Sequence, residues 1–131
     1  MVRSLSIDNW IGDEDNGGTH LNPTWELILS ELRRLNGEQH TLLSLNLSED
    51  AYILVGGGES GYYIVTATLD NMTYYNLIDE SQTDETIYLK AGGQFGDYSR
   101  KLCIDFNTMS NAVKTFAIHG KIDSSLSWLI E

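Results

Sequence analysis

Short runs in which apolar and polar residues alternate make up most of this chain. Residues 2–8, Val-Arg-Ser-Leu-Ser-Ile-Asp, and 41–48, Thr-Leu-Leu-Ser-Leu-Asn-Leu-Ser, alternate with period two, the signature of a half-buried strand. Residues 51–68, Ala-Tyr-Ile-Leu-Val-Gly-Gly-Gly-Glu-Ser-Gly-Tyr-Tyr-Ile-Val-Thr-Ala-Thr, are two β-rich runs joined by a segment with four glycines. They predict a central hairpin, with Gly56, Gly57, Gly58 and Gly61 shaping its turn. Residues 73–79 and 85–91 are two more strand-like runs bounded by polar turns, so the middle of the chain predicts a meander of antiparallel strands.

Two segments change period. Trp25, Ile28, Leu29, Leu32 and Leu35 lie on one helical face. Asn22 is placed to cap that helix, Pro23 suits its first position, and Glu26 favours the positive end of the dipole. This predicts a helix over about 23–35, ended by Asn36-Gly37, with Trp25 a structural anchor. A second helix is predicted after Asn107-Thr108, with Met109, Ala112, Val113, Phe116 and Ala117 on its buried face and Gly120 as its stop. The tail 123–131 has an apolar side of Leu126, Trp128 and Ile130 and is expected to dock on the body. The fold class is α+β: an antiparallel sheet of about six or seven strands with two amphipathic helices on one face, its other face partly solvated.

Gly56, Gly58 and Gly61 also spell G-x-G-x-x-G after a strand. A dinucleotide fingerprint needs a helix opening at the third glycine, whose free amides hold the pyrophosphate. Tyr62-Tyr-Ile-Val-Thr66 is strand-forming instead, which favours a hairpin turn. A second glycine-rich segment, Gly92-Gly-Gln-Phe-Gly-Asp-Tyr98, leads to 99–105, read as another strand.

Composition narrows the function. The 131 residues suit a single domain spanning 1–131, without an apolar run long enough to span a membrane or a signal-like N-terminus, so the chain is expected to be soluble and cytoplasmic. The lone Cys103 forms no internal disulfide and fits a reducing compartment. Nineteen Asp and Glu against eight Lys and Arg give a formal net charge of −11, which argues against nucleic-acid binding. That charge steers basic proteins toward this one or merely confers solubility.

Candidate chemistry is thin. Asp8, Asp13, Glu14 and Asp15 crowd four carboxylates around a loop at 12–18, only loosely like a calcium loop; a solvated or partner-facing loop is the alternative. His20, His40 and His119 are scattered, with no zinc-type pairing. Cys103, in an alternating Lys-Leu-Cys-Ile-Asp, is read as a small buried thiol rather than a nucleophile, since nothing near it in sequence supplies a base. Seven tyrosines, including Tyr62-Tyr63 and Tyr74-Tyr75, place some rings on solvent or on a partner. No catalytic residue, metal ligand or cofactor is assigned.

Pro23-x-Trp25 at a helix start, Gly56-Gly-Gly-x-x-Gly61-Tyr-Tyr-Ile-Val65, Gly92-Gly-Gln-x-Gly-x-Tyr98, the run ending in Asp105, and Phe116-x-x-x-Gly120 before Leu126-Ser-Trp128 occur in that order. Together they resemble the immunity protein family numbered first among those of bacterial polymorphic toxin systems, over about residues 20–128. Ser99 departs from the pattern, where a proline is expected. The resemblance implies a small cytoplasmic antitoxin that is not an enzyme, encoded beside a toxin, often a zinc-dependent nucleic-acid deaminase, and inhibiting it as a one-to-one complex. Within such a complex Asp13, Glu14, Asp15, Glu59, Asp97 and Tyr98 are the expected partner contacts, because they lie in acidic or glycine-rich loops. A reading of another class is a small hydrolase or ligand-binding domain whose pocket lies between the loops at 56–61 and 92–98.

Overall fold

The computed structural model describes residues 2–131. Its elements in chain order are β1 (Ser4–Ile7), β2 (Trp10–Ile11), β3 (Glu14–Asp15), β4 (Gly18–Leu21), α1 (Trp25–Leu32), β5 (Leu42–Asn46), β6 (Tyr52–Gly57), β7 (Tyr63–Thr68), β8 (Tyr74–Leu77), β9 (Thr86–Ala91), β10 (Gln94–Ser99), α2 (Phe106–His119) and β11 (Trp128–Ile130). Seven strands form one sheet in the order β11-β8-β7-β6-β5-β1-β4, and every neighbouring pair is antiparallel. The predicted α+β class therefore holds.

Period two decides which face of this sheet is the core. Leu5 pairs with Leu45, which pairs with Ile53, which pairs with Ala67, and Ile7, Leu43, Val55, Val65 and Leu77 lie on the same inner face. These side chains are buried against Ile28 and Leu32 of α1 and Met109, Ala112, Val113, Phe116 and Ala117 of α2. Both helices thus cover one face. Trp25 and Trp128 pack on the margin of this core as half-buried anchors, Trp128 donating its indole N–H to the Asp123 carbonyl at 2.9 Å.

The helices are capped by residues other than those predicted. Thr24, not Asn22, accepts from the Leu27 N–H at the start of α1, and Asp105, not Asn107 or Thr108, accepts from the Thr108 N–H at the start of α2. Gly120 ends α2 in the left-handed conformation as expected.

Three further segments differ from the sequence reading. Gly18–Leu21, assigned to a polar loop and the approach to α1, is the edge strand β4, paired with β1 and exposed along its length. The meander stops at β8, because the tail strand β11 takes the far edge of β8, so β9 and β10 pair only with each other as a hairpin. Gly92-Gly93 is the two-residue turn of that hairpin, both at positive φ, and 94–98 is strand rather than loop. Residues 100–102 then form a single 3-10 turn. Cys103 follows it, buried, its thiol set against the Ser99 carbonyl at 3.6 Å. Burial pushes that thiol up, and nearby Arg100 opposes the shift in part.

Candidate functional site

Four segments meet at one end of the sheet: the β2–β3 hairpin, the 36–40 connection, the 57–61 turn and the tip of the β9–β10 hairpin. Thr41 joins them. Its hydroxyl donates to Asp8 Oδ2 and accepts the Gly93 N–H at 3.0 Å, while its carbonyl accepts the Gly57 N–H at 3.0 Å. Asp8 is buried and takes four donors: the Thr41 and Leu42 amides at 2.6 and 3.0 Å on one oxygen, and the Thr41 hydroxyl and the Trp10 indole N–H, the latter at 2.7 Å, on the other. A carboxylate has about four acceptor directions, so Asp8 is a structural knot with none left for a cation. The reading of 8–15 as one carboxylate loop therefore divides, Asp8 turning inward and the other three outward. Among the described residues no group of three or more His, Cys, Asp and Glu is placed to hold a metal.

A polar chain continues from this knot. His40 Nδ1 lies 2.7 Å from the Asp8 carbonyl oxygen and its Nε2 lies 3.2 Å from an Arg34 nitrogen. A guanidinium only donates, so Nε2 is the acceptor and Nδ1–H donates to Asp8. Arg34 is in turn bound by both oxygens of buried Glu31. His40 thus couples α1 to the start of the acidic hairpin.

The predicted contacts fall into three groups. Asp13 and Glu14 stand exposed on the β2–β3 hairpin, whose two-residue turn is Gly12-Asp13. Asp15 is exposed as well, but its Oδ1 already accepts the Asn9 and Gly17 amides at 2.9 and 2.8 Å and closes the hairpin. Glu59 is exposed in a 3-10 turn seated on 35–37, where a Cβ on Gly37 would approach the Glu59 Cβ to 2.6 Å. Asp97 points away from the body, cross-strand from Tyr88. Tyr98, on the opposite face of its strand, is half-buried and lines a small cavity of about 70 Å³ with Ile64, Thr66, Asn76 and Leu102.

Three residues not singled out as contacts share the outer face with Asp97. Lys90 pairs with Phe95 and Asp97 with Tyr88, so all four project from the outer face of the β9–β10 hairpin. Tyr88 and Phe95 are 63% and 58% exposed, with rings 4.9 Å apart, and the Lys90 ammonium lies 5.5 Å from the Phe95 centroid. The available signal was the alternation of Thr86–Ala91 together with a Gly-Gly two-residue turn, which fixes the register on the far strand.

The start of the 56–61 loop packs on the end of β9. A Cβ on Gly56 would come within 2.6 Å of the Ala91 Cβ, and one on Gly57 within 3.6 Å of Leu89 Cδ1. The glycines admit the inner face of β9 there. A cleft of about 360 Å³ opens on the other side of Gly92, lined by Ser6, Asp15, Gly18, Thr19 and Ser44 among others. A second, of about 300 Å³, lies between Asp79, Asp105, Thr108 and Ser125. The Ser81 hydroxyl, and less strongly the Gln82 amide, hold the Asp79 carboxyl below its usual range.

Compared with protein-family models, with curated proteins and with solved structures, the chain matches none.

Proposed function

We propose that this protein is an antitoxin: it binds a cognate bacterial toxin and inhibits it by covering its active site. The observation that carries the reading is the juxtaposition, at one end of the sheet, of exposed carboxylates on a rigidly tied hairpin with an exposed aromatic pair on the next, in a chain of net charge −11. Carboxylates steer a basic partner, and aromatic rings provide contact area at low entropic cost. The resemblance to the first-numbered immunity family supports a toxin that deaminates nucleic acid. Such an enzyme needs a pocket for the base and basic side chains for the phosphates, and an acidic protein competes for both. On this reading the protein acts in the cytoplasm, as a one-to-one complex, and binds neither cofactor nor nucleic acid. No described helix is long and apolar enough to cross a membrane.

The test is co-purification with the toxin domain encoded beside it, followed by rescue of cells expressing that toxin. Growth arrest that this protein leaves unrelieved sinks the proposal. The steering role has its own measurement. Asp13→Lys with Glu14→Lys is expected to slow association about tenfold at low salt and to flatten its salt dependence. Asp15 is left intact in this variant because it closes the hairpin. Association kinetics unchanged at low salt would remove the β2–β3 hairpin from the encounter.

A further inference from the structure

The outer face of the β9–β10 hairpin needs an explanation that the fold does not provide. Its inner face, with Ile87, Leu89, Ala91 and Tyr98, already secures it to the body. Tyr88 and Phe95 could be polar without loss to the core, yet both rings remain largely in solvent, in contact with one another as a tilted pair with planes at 60°. The surface is also held stiffly. Gly93 lies flat against the Trp10 indole, where a Cβ would meet the ring at 2.2 Å, and its N–H is bound by Thr41. At the base, the Asp79 N–H is bound by the Lys101 carbonyl and the Arg100 N–H by the Glu85 carbonyl. A preorganised aromatic pair loses little freedom on binding.

Charge decides among occupants. Asp97 flanks Tyr88, and Trp10, whose ring the Gly93 tip abuts, belongs to the strand leading into Asp13 and Glu14. Exposed aromatics beside a lysine also suit single-stranded nucleic acid, but that ligand would meet a chain of charge −11 with carboxylates on two sides. A second copy would bring like charge to like charge. A basic protein surface meets neither obstacle: on this face Asp97 offsets Lys90, and the excess charge of the rest of the chain is acidic. We infer that the outer face of the β9–β10 hairpin, centred on Tyr88 and Phe95 with Asp97 beside them, is the anchoring surface for a basic protein partner, while the β2–β3 hairpin is its steering surface. This rests on the antitoxin reading and divides the labour within it: the carboxylates set the rate of encounter and the aromatic pair sets the residence time.

The test uses the neighbouring toxin domain, rendered inactive, and the variant Tyr88→Thr with Phe95→Thr, since threonine retains strand preference. We expect dissociation at least about tenfold faster with association at low salt within about twofold. In the wild-type complex the amides of 86–99 gain protection from hydrogen exchange, a measurement that stands even if the double variant unfolds. Dissociation at the wild-type rate from a folded variant, or unprotected amides in the complex, overturns this inference alone. So does self-association, or capture of a single-stranded oligonucleotide, that disappears in the variant. A wild-type protein that fails to bind the toxin domain overturns the antitoxin reading and this inference with it.

Discussion

Thr41 carries more of the site's geometry than any carboxylate the sequence advertises. Its hydroxyl is both donor to Asp8 and acceptor for Gly93, so Thr41→Val leaves the buried Asp8 carboxylate and the half-buried Gly93 amide each short of a hydrogen bond. The expected cost is about 1–3 kcal/mol in urea unfolding, mostly restored by Thr41→Ser, which keeps the oxygen. Gly93→Ala tests the same junction from the other side. The new methyl would lie 2.2 Å from Trp10 Cζ2 at a φ of +78°, and a loss of about 1–3 kcal/mol is expected. None of this was legible in the sequence. Trp10 and Gly93 are far apart along the chain, and nothing in the local pattern announces that an indole will lie on a glycine, or that Asp8 alone among its acidic neighbours will be buried.

Among the elements, strongly periodic segments were readable and weakly periodic ones were not. The buried faces of α1 and α2 and the inner rows of β5 to β7 follow the hydrophobic spacing, because burial itself creates that spacing. The strand β4 carries no such mark: Gly18, Thr19, His20 and Leu21 are all exposed, and only its pairing with β1 makes it a strand. The caps were misplaced by two residues at each helix, since Asn22 and Asn107 are as good as Thr24 and Asp105 by residue type alone. Their roles separate by mutation. Thr24→Ala and Asp105→Ala should each cost about 1 kcal/mol in thermal or urea unfolding, whereas Asn107→Ala should stay within about 0.5 kcal/mol. Equal losses at Asn107 and Asp105 would contradict the caps described for α2. The β9–β10 hairpin could have been found from Gly92-Gly93 as a two-residue turn, but its departure from the main sheet could not, because it follows from the capture of β8 by β11.

Over the whole molecule the acidic excess is largely unneutralised: among the described residues the ion pairs are Arg34–Glu31 and Lys101–Asp84. Raising ionic strength from about 0.01 M to about 0.15 M shortens the screening length from about 30 Å to about 8 Å, and the Tm is expected to rise accordingly. Three carboxylates oppose acidification differently. Asp79 is held low by the Ser81 hydroxyl, Asp123 by the Ser125 and then the Thr115 hydroxyl, and Asp70 by the Thr73 and Met72 amides. A depressed folded value means that the unfolded chain takes up protons first. The stabilisation is therefore complete above the ordinary carboxylate range near about pH 4 and is lost as pH falls through the lower folded values. In Asp79→Asn with Asp123→Asn, the fall in Tm between about pH 5 and pH 2 is expected to be shallower than in the wild type. An identical acid limb in the variant would show that these turns do not contribute.

The buried thiol of Cys103 gives the molecule a chemical clock. It lies buried four residues beyond the end of β10, its thiol against the Ser99 carbonyl at the hairpin base, and reagents such as dithionitrobenzoate reach it only when the structure around it, the hairpin base included, opens. At fixed pH the rate of thiol labelling therefore counts excursions of the hairpin base. A bound partner that clamps the hairpin should slow that clock without touching the sulfur.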